Sequence, residues 1–143
     1  MNKYSTFFLK ELFLFLIGGS AYYGIEILWR GYSHWSMFIL GAICFIYAGL
    51  QNEYESWNYP FWKQIGKVEG FVLCAEFFIG CIVNLILGWN IWDYSSLPFN
   101  IWGQISLLYA ILWIPLCSMA IVLDDYIRWI FFHEEKPHYN FFR

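Results

Sequence analysis

Gly88-Trp89-Asn90-Ile91-Trp92-Asp93-Tyr94-Ser95-Ser96-Leu97-Pro98-Phe99-Asn100 is the stretch that decides how this chain folds. It is the densest polar and aromatic segment of the sequence. Val68 to Leu87 before it is almost wholly apolar, and Ile101 to Leu123 after it is apolar again. Each flank is long enough for a helix across a bilayer, which needs about 20 residues. Asn, Asp, Ser and Pro between two such runs read as the connection between two membrane-spanning helices.

The composition carries the same message. The chain has 143 residues, enough for one domain. It is 60% hydrophobic and 13% charged, against about 25% charged in soluble domains. Mean hydropathy is +0.49. A soluble domain of this size cannot hide so much apolar surface, so lipid must solvate much of it. Aromatic residues make up 24%, and Tyr and Trp suit the headgroup level, where one edge of the ring is wet. The net charge of -3, without a block of like charge, points away from nucleic acid. Cys44, Cys74, Cys81 and Cys117 all lie in apolar runs and read as small buried packing residues. No Cys/His spacing suggests a metal site, and no cofactor is expected.

Working outward gives four helices. Glu11 to Trp29 is the first. Gly19 and Ala21 would suit a signal-peptide cleavage site, but the apolar run continues through Trp29, so a spanning helix is the better reading. Ser36 to Leu50 is a second, shorter run. Gln51 to Lys67 mixes Glu53, Glu55, Asn58, Lys63 and Lys67 with Tyr54, Trp57, Tyr59, Phe61 and Trp62, as an interfacial segment would. Residues 68–87 form the third helix and 101–123 the fourth, with Pro115 inside it. The segment 88–100 is an outer loop, and 124–143 is a cytoplasmic tail. The expected fold is an all-α, single-domain bundle of four transmembrane helices.

Four crossings put both termini on one side. The termini and middle loop hold Lys3, Lys10, Lys63, Lys67, Arg128, Lys136 and Arg143, whereas the other two loops hold only Arg30. The positive-inside rule then predicts cytoplasmic termini and an outer loop around Asp93.

Polar residues at membrane depth are the candidate site. Glu76 lies about 12 Å along the third helix from Val68 at 1.5 Å per residue. An acidic group there costs about 2.5–3.5 kcal/mol against lipid and must face protein or water. Gly80, Asn84 and Gly88 follow at spacings of four, on one face. Glu26 and Arg30, also four apart, read as an interfacial ion pair or as part of an outer site. Asn84, Asn90, Asp93, Asn100 and Gln104 lie at a similar depth, and packing would allow Glu26, Arg30, Asn84, Asp93 and Gln104 to meet. Against this, Asp93 and Ser95 suit local turns, and Asn100 suits a cap on the fourth helix. Asp124 and Arg128 read as a second interfacial pair. Gly18, Gly19, Ser20 and Gly24, with Gly41, Ala42, Ala48 and Gly49, give faces for close helix packing, which also permit a homo-oligomer. His133 and His138 beside Glu134 and Glu135 read as a solvated tail. No HExxH, GxSxG or phosphate-loop motif is present.

The stretch Gly88 to Ser95, with Pro98-Phe99-Asn100 and Gly103-Gln104-Ile105, resembles the CmpB-like family of small bacterial membrane proteins, labelled ABC transporter permease, type IV. Ile25 to Trp35 looks like a Clostridia-type branch, as do Glu76 to Asn84, Leu123-Asp124-Asp125 and Glu134 to Tyr139. The resemblance implies a Gram-positive plasma membrane and a separate ATPase subunit as partner.

Two functions follow as expectations. One is a transporter or permease-like subunit, with Glu76 and Asn84 at mid-membrane and Glu26, Arg30, Asp93, Asn100 and Gln104 outside. The other is a non-transporting interaction or lipid-binding membrane protein whose polar residues are structural. An intramembrane enzyme using Glu26 or Glu76 as acid or base lacks an accompanying nucleophile or metal cluster.

Overall fold

The computed structural model describes residues 2–54 and 59–139. The expected interfacial segment falls partly outside these, at 55–58, as does the end of the tail at 140–143. The described chain is all-helical apart from one two-stranded turn. Its elements are α1 (Lys3–Arg30), α2 (Trp35–Tyr54), α3 (Phe61–Gly80), a π-helical continuation of α3 (Cys81–Ile86), β1 (Asn100–Ile101), β2 (Ile105–Ser106) and α4 (Leu107–Phe132). Among the described residues, three helices are long and apolar enough to cross a membrane: Lys3–Arg30, Phe61–Ile86 and Leu107–Phe132. The apolar part of α2, Trp35–Gln51, is shorter.

Helix ends differ from the predicted ones, each for a local reason. α1 begins at Lys3 rather than 11, because Asn2 Oδ1 accepts from the Ser5 N–H at 2.8 Å and caps the first turn. It stops at Gly31, whose φ of 83° is the left-handed C-cap conformation. α3 begins at Phe61 rather than 68. The Pro60 carbonyl accepts from Lys63 and Gln64 N–H, and Pro suits a helix entry. α4 begins at Leu107 rather than 101. Asn100 pairs with Ser106 and Ile101 with Ile105 across a tight antiparallel turn. The cap is then Ser106, whose Oγ accepts from the Tyr109 N–H at 3.3 Å, and not Asn100. The supposed tail is helical as far as Phe132. His133, at φ 56°, and a bond from the Glu134 N–H to the Arg128 carbonyl close that end.

The chain divides into two compact units, one of Met1–Glu55 with Ala120–Pro137, the other of Ser56–Met119 with His138–Arg143. In the first, α1 and α2 pack antiparallel. Gly18 lies against the Phe45 ring and Gly41 against the Tyr22 ring, so closely that a Cβ at either would overlap the aromatic side chain. Leu14, Phe45 and Ile127 form the buried core, with Ile17, Ile46, Ala120 and Phe132 around it. The second unit is built on one stripe of α3. Phe61, Gln64, Val68, Val72, Glu76 and Gly80 are buried, and Val83 and Asn84 extend the stripe into the π-helical segment. That spacing of three and four is one helix face.

Candidate functional site

In the second unit the buried polar side chains of α3 receive the loop that follows. Glu76 is 4% exposed. Its Oε1 accepts from the Tyr94 hydroxyl at 3.1 Å, and its Oε2 from the Trp113 indole N–H at 3.0 Å. It therefore faces protein, as the desolvation argument required. Tyr94 comes from the loop and Trp113 from α4. The Tyr94 ring is fixed by stacking on Tyr109, with centroids 4.4 Å apart and planes 9° from parallel.

Asn84 sits where α3 widens into the π-helical segment, a distortion that re-aims side chains. Its Oδ1 accepts from the Ile91 N–H at 2.7 Å and the Trp92 N–H at 3.4 Å. Its amide donates to Gln104 Oε1 at 2.8 Å. Gln104 Nε2 donates to the Trp102 carbonyl at 3.0 Å, and the Gln104 carbonyl accepts from the Trp92 indole at 2.9 Å. Gly80 admits this cluster, since a Cβ there would meet Gln104 Oε1 and the Trp92 ring.

Asn100 and Asp93 shape the loop itself. Asn100 Oδ1 accepts from the Gly103 N–H at 2.9 Å, and its amide donates to the Leu97 carbonyl at 2.7 Å. Asp93 is exposed, and its Oδ1 accepts from the Ser95 N–H at 2.9 Å. Hydrogen bonds from the Ser95 side chain and backbone hold the Asp93 carboxyl below its ordinary value. Of the predicted site residues, Asn84 and Gln104 thus touch, Glu76 joins them through the loop, and Asp93 and Asn100 serve turns.

Glu26 and Arg30 belong to the first unit. Arg30 Nε lies 2.6 Å from Glu26 Oε2, the Tyr22 hydroxyl donates to Glu26 Oε1 at 2.8 Å, and the guanidinium lies over the Tyr32 ring. The same unit holds a charged cluster that the sequence reading did not assemble. Arg128 Nε meets Asp124 Oδ2 at 2.7 Å, and Arg128 Nη2 meets Glu11 Oε1 at 3.1 Å. Glu134 lies 3.8 Å from Arg128 Nη1 and 2.9 Å from Lys10 Nζ. Asp124 is 0% exposed and Arg128 is buried too. The expected interfacial pair is therefore a buried one. The reason is Gly49 of α2, which has no side chain and lies against the Asp124 carboxylate. The spacing of Asp124 and Arg128 on an apolar helix, opposite a small-residue face, was the available signal.

No two of the four cysteines are joined in a disulfide. Cys44 and Cys117 are buried, but Cys74 is exposed on α3, outside the buried stripe, so it is not the packing residue expected. Among the described residues no group of three or more His, Cys, Asp or Glu side chains is placed to hold a metal ion. Compared with models of known protein families, with curated proteins and with solved structures, the chain matches none.

Proposed function

We propose that the chain is a small multi-pass protein of a bacterial plasma membrane, crossing four times with both termini cytoplasmic. It acts as a permease-like transport subunit of the kind its CmpB-like residues imply, alone as an oligomer or with a separate ATPase. The observation that carries this reading is Glu76, a carboxylate buried at membrane depth and gripped from two directions by Tyr94 and Trp113. A carboxylate is retained there against its desolvation cost when its charge is used. Adding a proton or cation to Glu76 weakens its acceptor bonds to Tyr94 and Trp113, and so loosens the loop. That links the charge of the site to its opening.

The test is uptake or export of solutes, and of protons, by liposomes carrying the purified protein. Glu76→Gln should abolish a flux that the wild type shows, while Asn84→Ala should lower stability more than flux. If wild-type liposomes are no leakier than empty ones, and native mass spectrometry finds no ATPase partner, the transport reading fails. The second reading, a non-transporting membrane interaction or lipid-binding protein, is favoured by one observation. Asn84 and Gln104 direct their hydrogen bonds at the chain's own backbone and at each other.

A further inference from the structure

α3 carries a second carboxylate on the face of Glu76. Glu69 lies seven residues earlier, two helical turns or about 10 Å along the axis. A spacing of seven keeps both on one side of the helix. α4 meets them with a matching interval. Trp113 donates to Glu76, and Cys117, four residues further on, brings its Sγ to 4.0 Å from Glu69 Oε2. The two carboxylates thus occupy successive levels of one α3–α4 interface, within the apolar span Phe61–Ile86. In the sequence Glu69 is hidden by its place at the start of a run that otherwise reads as apolar.

The two differ in how their oxygens are satisfied. Both oxygens of Glu76 accept from protein donors, the Tyr94 hydroxyl and the Trp113 indole. Glu69 has the weak donor of a thiol on one oxygen. Its Oε1 is shut off from solvent by the protein and has no hydrogen-bond partner. The titratable groups around it are Cys117 on α4 and Glu76 on its own helix. Among the described residues no Lys or Arg pairs with it. Lys67, two residues earlier, lies over the Tyr59 ring instead.

An acceptor atom buried without a donor is completed by a cation or by a proton. A metal ion needs several oxygen ligands, and among the described residues no group of three or more His, Cys, Asp or Glu is placed to supply them. A proton needs one oxygen. On Glu69 Oε1 it displaces no hydrogen bond, whereas on Glu76 it gives up acceptance from Tyr94 or Trp113. Water is close at hand. Lys63 and Lys67, lying over the Trp62 and Tyr59 rings, suit the water boundary, and the Glu69 side chain as a whole is partly exposed. Beyond Glu76 the row continues to Tyr94, which is partly exposed on the loop.

We infer that Glu69 is the proton-loading residue of this interface, and that the ion passed on toward Glu76 is H+. The O–H bond forms at Glu69 Oε1, water at the lysine-marked end of α3 gives up the proton, and no electrons change hands. The gap to Glu76 is longer than one hydrogen bond, so the proton crosses it on water admitted between the helices. The inference rests on the transport reading above and names its ion.

The test uses the full chain in liposomes that enclose a pH-sensitive dye, with an imposed pH gradient and potassium with valinomycin to balance charge. Wild-type liposomes should dissipate the gradient faster than protein-free ones. That excess should be lost in Glu69→Gln and kept in Glu69→Asp, which restores a carboxyl. A wild-type rate in Glu69→Gln overturns the inference and leaves the transport reading standing, as does a wild type that carries a solute but no protons. Wild-type liposomes that pass neither protons nor solutes overturn both. A second measurement needs no variant. Dicyclohexylcarbodiimide, an apolar reagent that adds to protonated carboxyls, is applied to the wild type in the same liposomes and read by peptide mass spectrometry. It should modify Glu69 ahead of Glu76, and more so as the pH falls. Modification of Glu76 alone, or of neither, overturns the inference.

Discussion

Replacing Asn84 by Ala should detach the loop that follows α3 from the helix. The side chain makes two short hydrogen bonds, 2.7 Å from the Ile91 N–H and 2.8 Å to Gln104 Oε1, and a long one of 3.4 Å from the Trp92 N–H. Truncation leaves the Ile91 N–H and the Gln104 amide buried without those partners. An unsatisfied buried polar group costs about 1–3 kcal/mol. Within membranes, individual side-chain bonds average nearer ~0.6 and reach ~1.7 kcal/mol. Two short bonds, with packing lost between them, therefore place the loss at about 2–4 kcal/mol. The assay is unfolding in detergent micelles by added dodecyl sulfate, followed by circular dichroism and tryptophan fluorescence. Gln104→Ala in the same series closes a double-mutant cycle, and the two residues should couple by about 1 kcal/mol. A loss under ~0.5 kcal/mol for Asn84→Ala, with no coupling to Gln104, would refute the loop attachment.

Three further outcomes follow from named contacts. Arg128→Ala leaves Asp124 buried beside Glu11 without its counter-charge and should cost about 3–5 kcal/mol in the same titration; Arg128→Ala with Asp124→Asn should recover much of it. Gly49→Ala drives a Cβ into the Asp124 carboxylate and should cost about 1–3 kcal/mol, less in an Asp124→Ala background. Asp93 has a folded pKa below its unfolded one, so its contribution is present above about pH 4 and is lost as pH falls through the lower folded value. Hydrogen exchange of the Ser95 amide should therefore quicken on acidification, and Asp93→Asn should flatten that response.

The helices were legible because apolar length is a one-dimensional property. The inward orientation of Glu76 was legible too, since a carboxylate at that depth has few places to go. Glu26 with Arg30 and Asp93 with Ser95 are local pairs, which spacing alone can find. What spacing could not find were contacts between distant residues. Glu11 meets Arg128 across 117 positions, and Asp124 is buried only because Gly49 lacks a side chain. The start of α4 was misplaced because Asn100 can cap a helix or close a turn, and the local sequence favours neither. Its partner Gly103 N–H, held by the β1–β2 pairing, decides for the turn. The fold-back of the loop was hidden for the same reason. It depends on Tyr94 and Trp113 converging on Glu76, and neither ring carries a signal that distinguishes it from the chain's many other aromatics.

Sidedness of three engineered cysteines tests the membrane account most directly. The substitutions are Ser5→Cys, Ser96→Cys and His138→Cys, all at exposed positions, in a chain whose four native cysteines are replaced by serine or alanine. In intact cells an impermeant maleimide should label position 96 alone, with positions 5 and 138 reacting only after lysis. If α2 does not cross, position 96 shares the side of position 5 while position 138 lies opposite, and the four-crossing account is wrong.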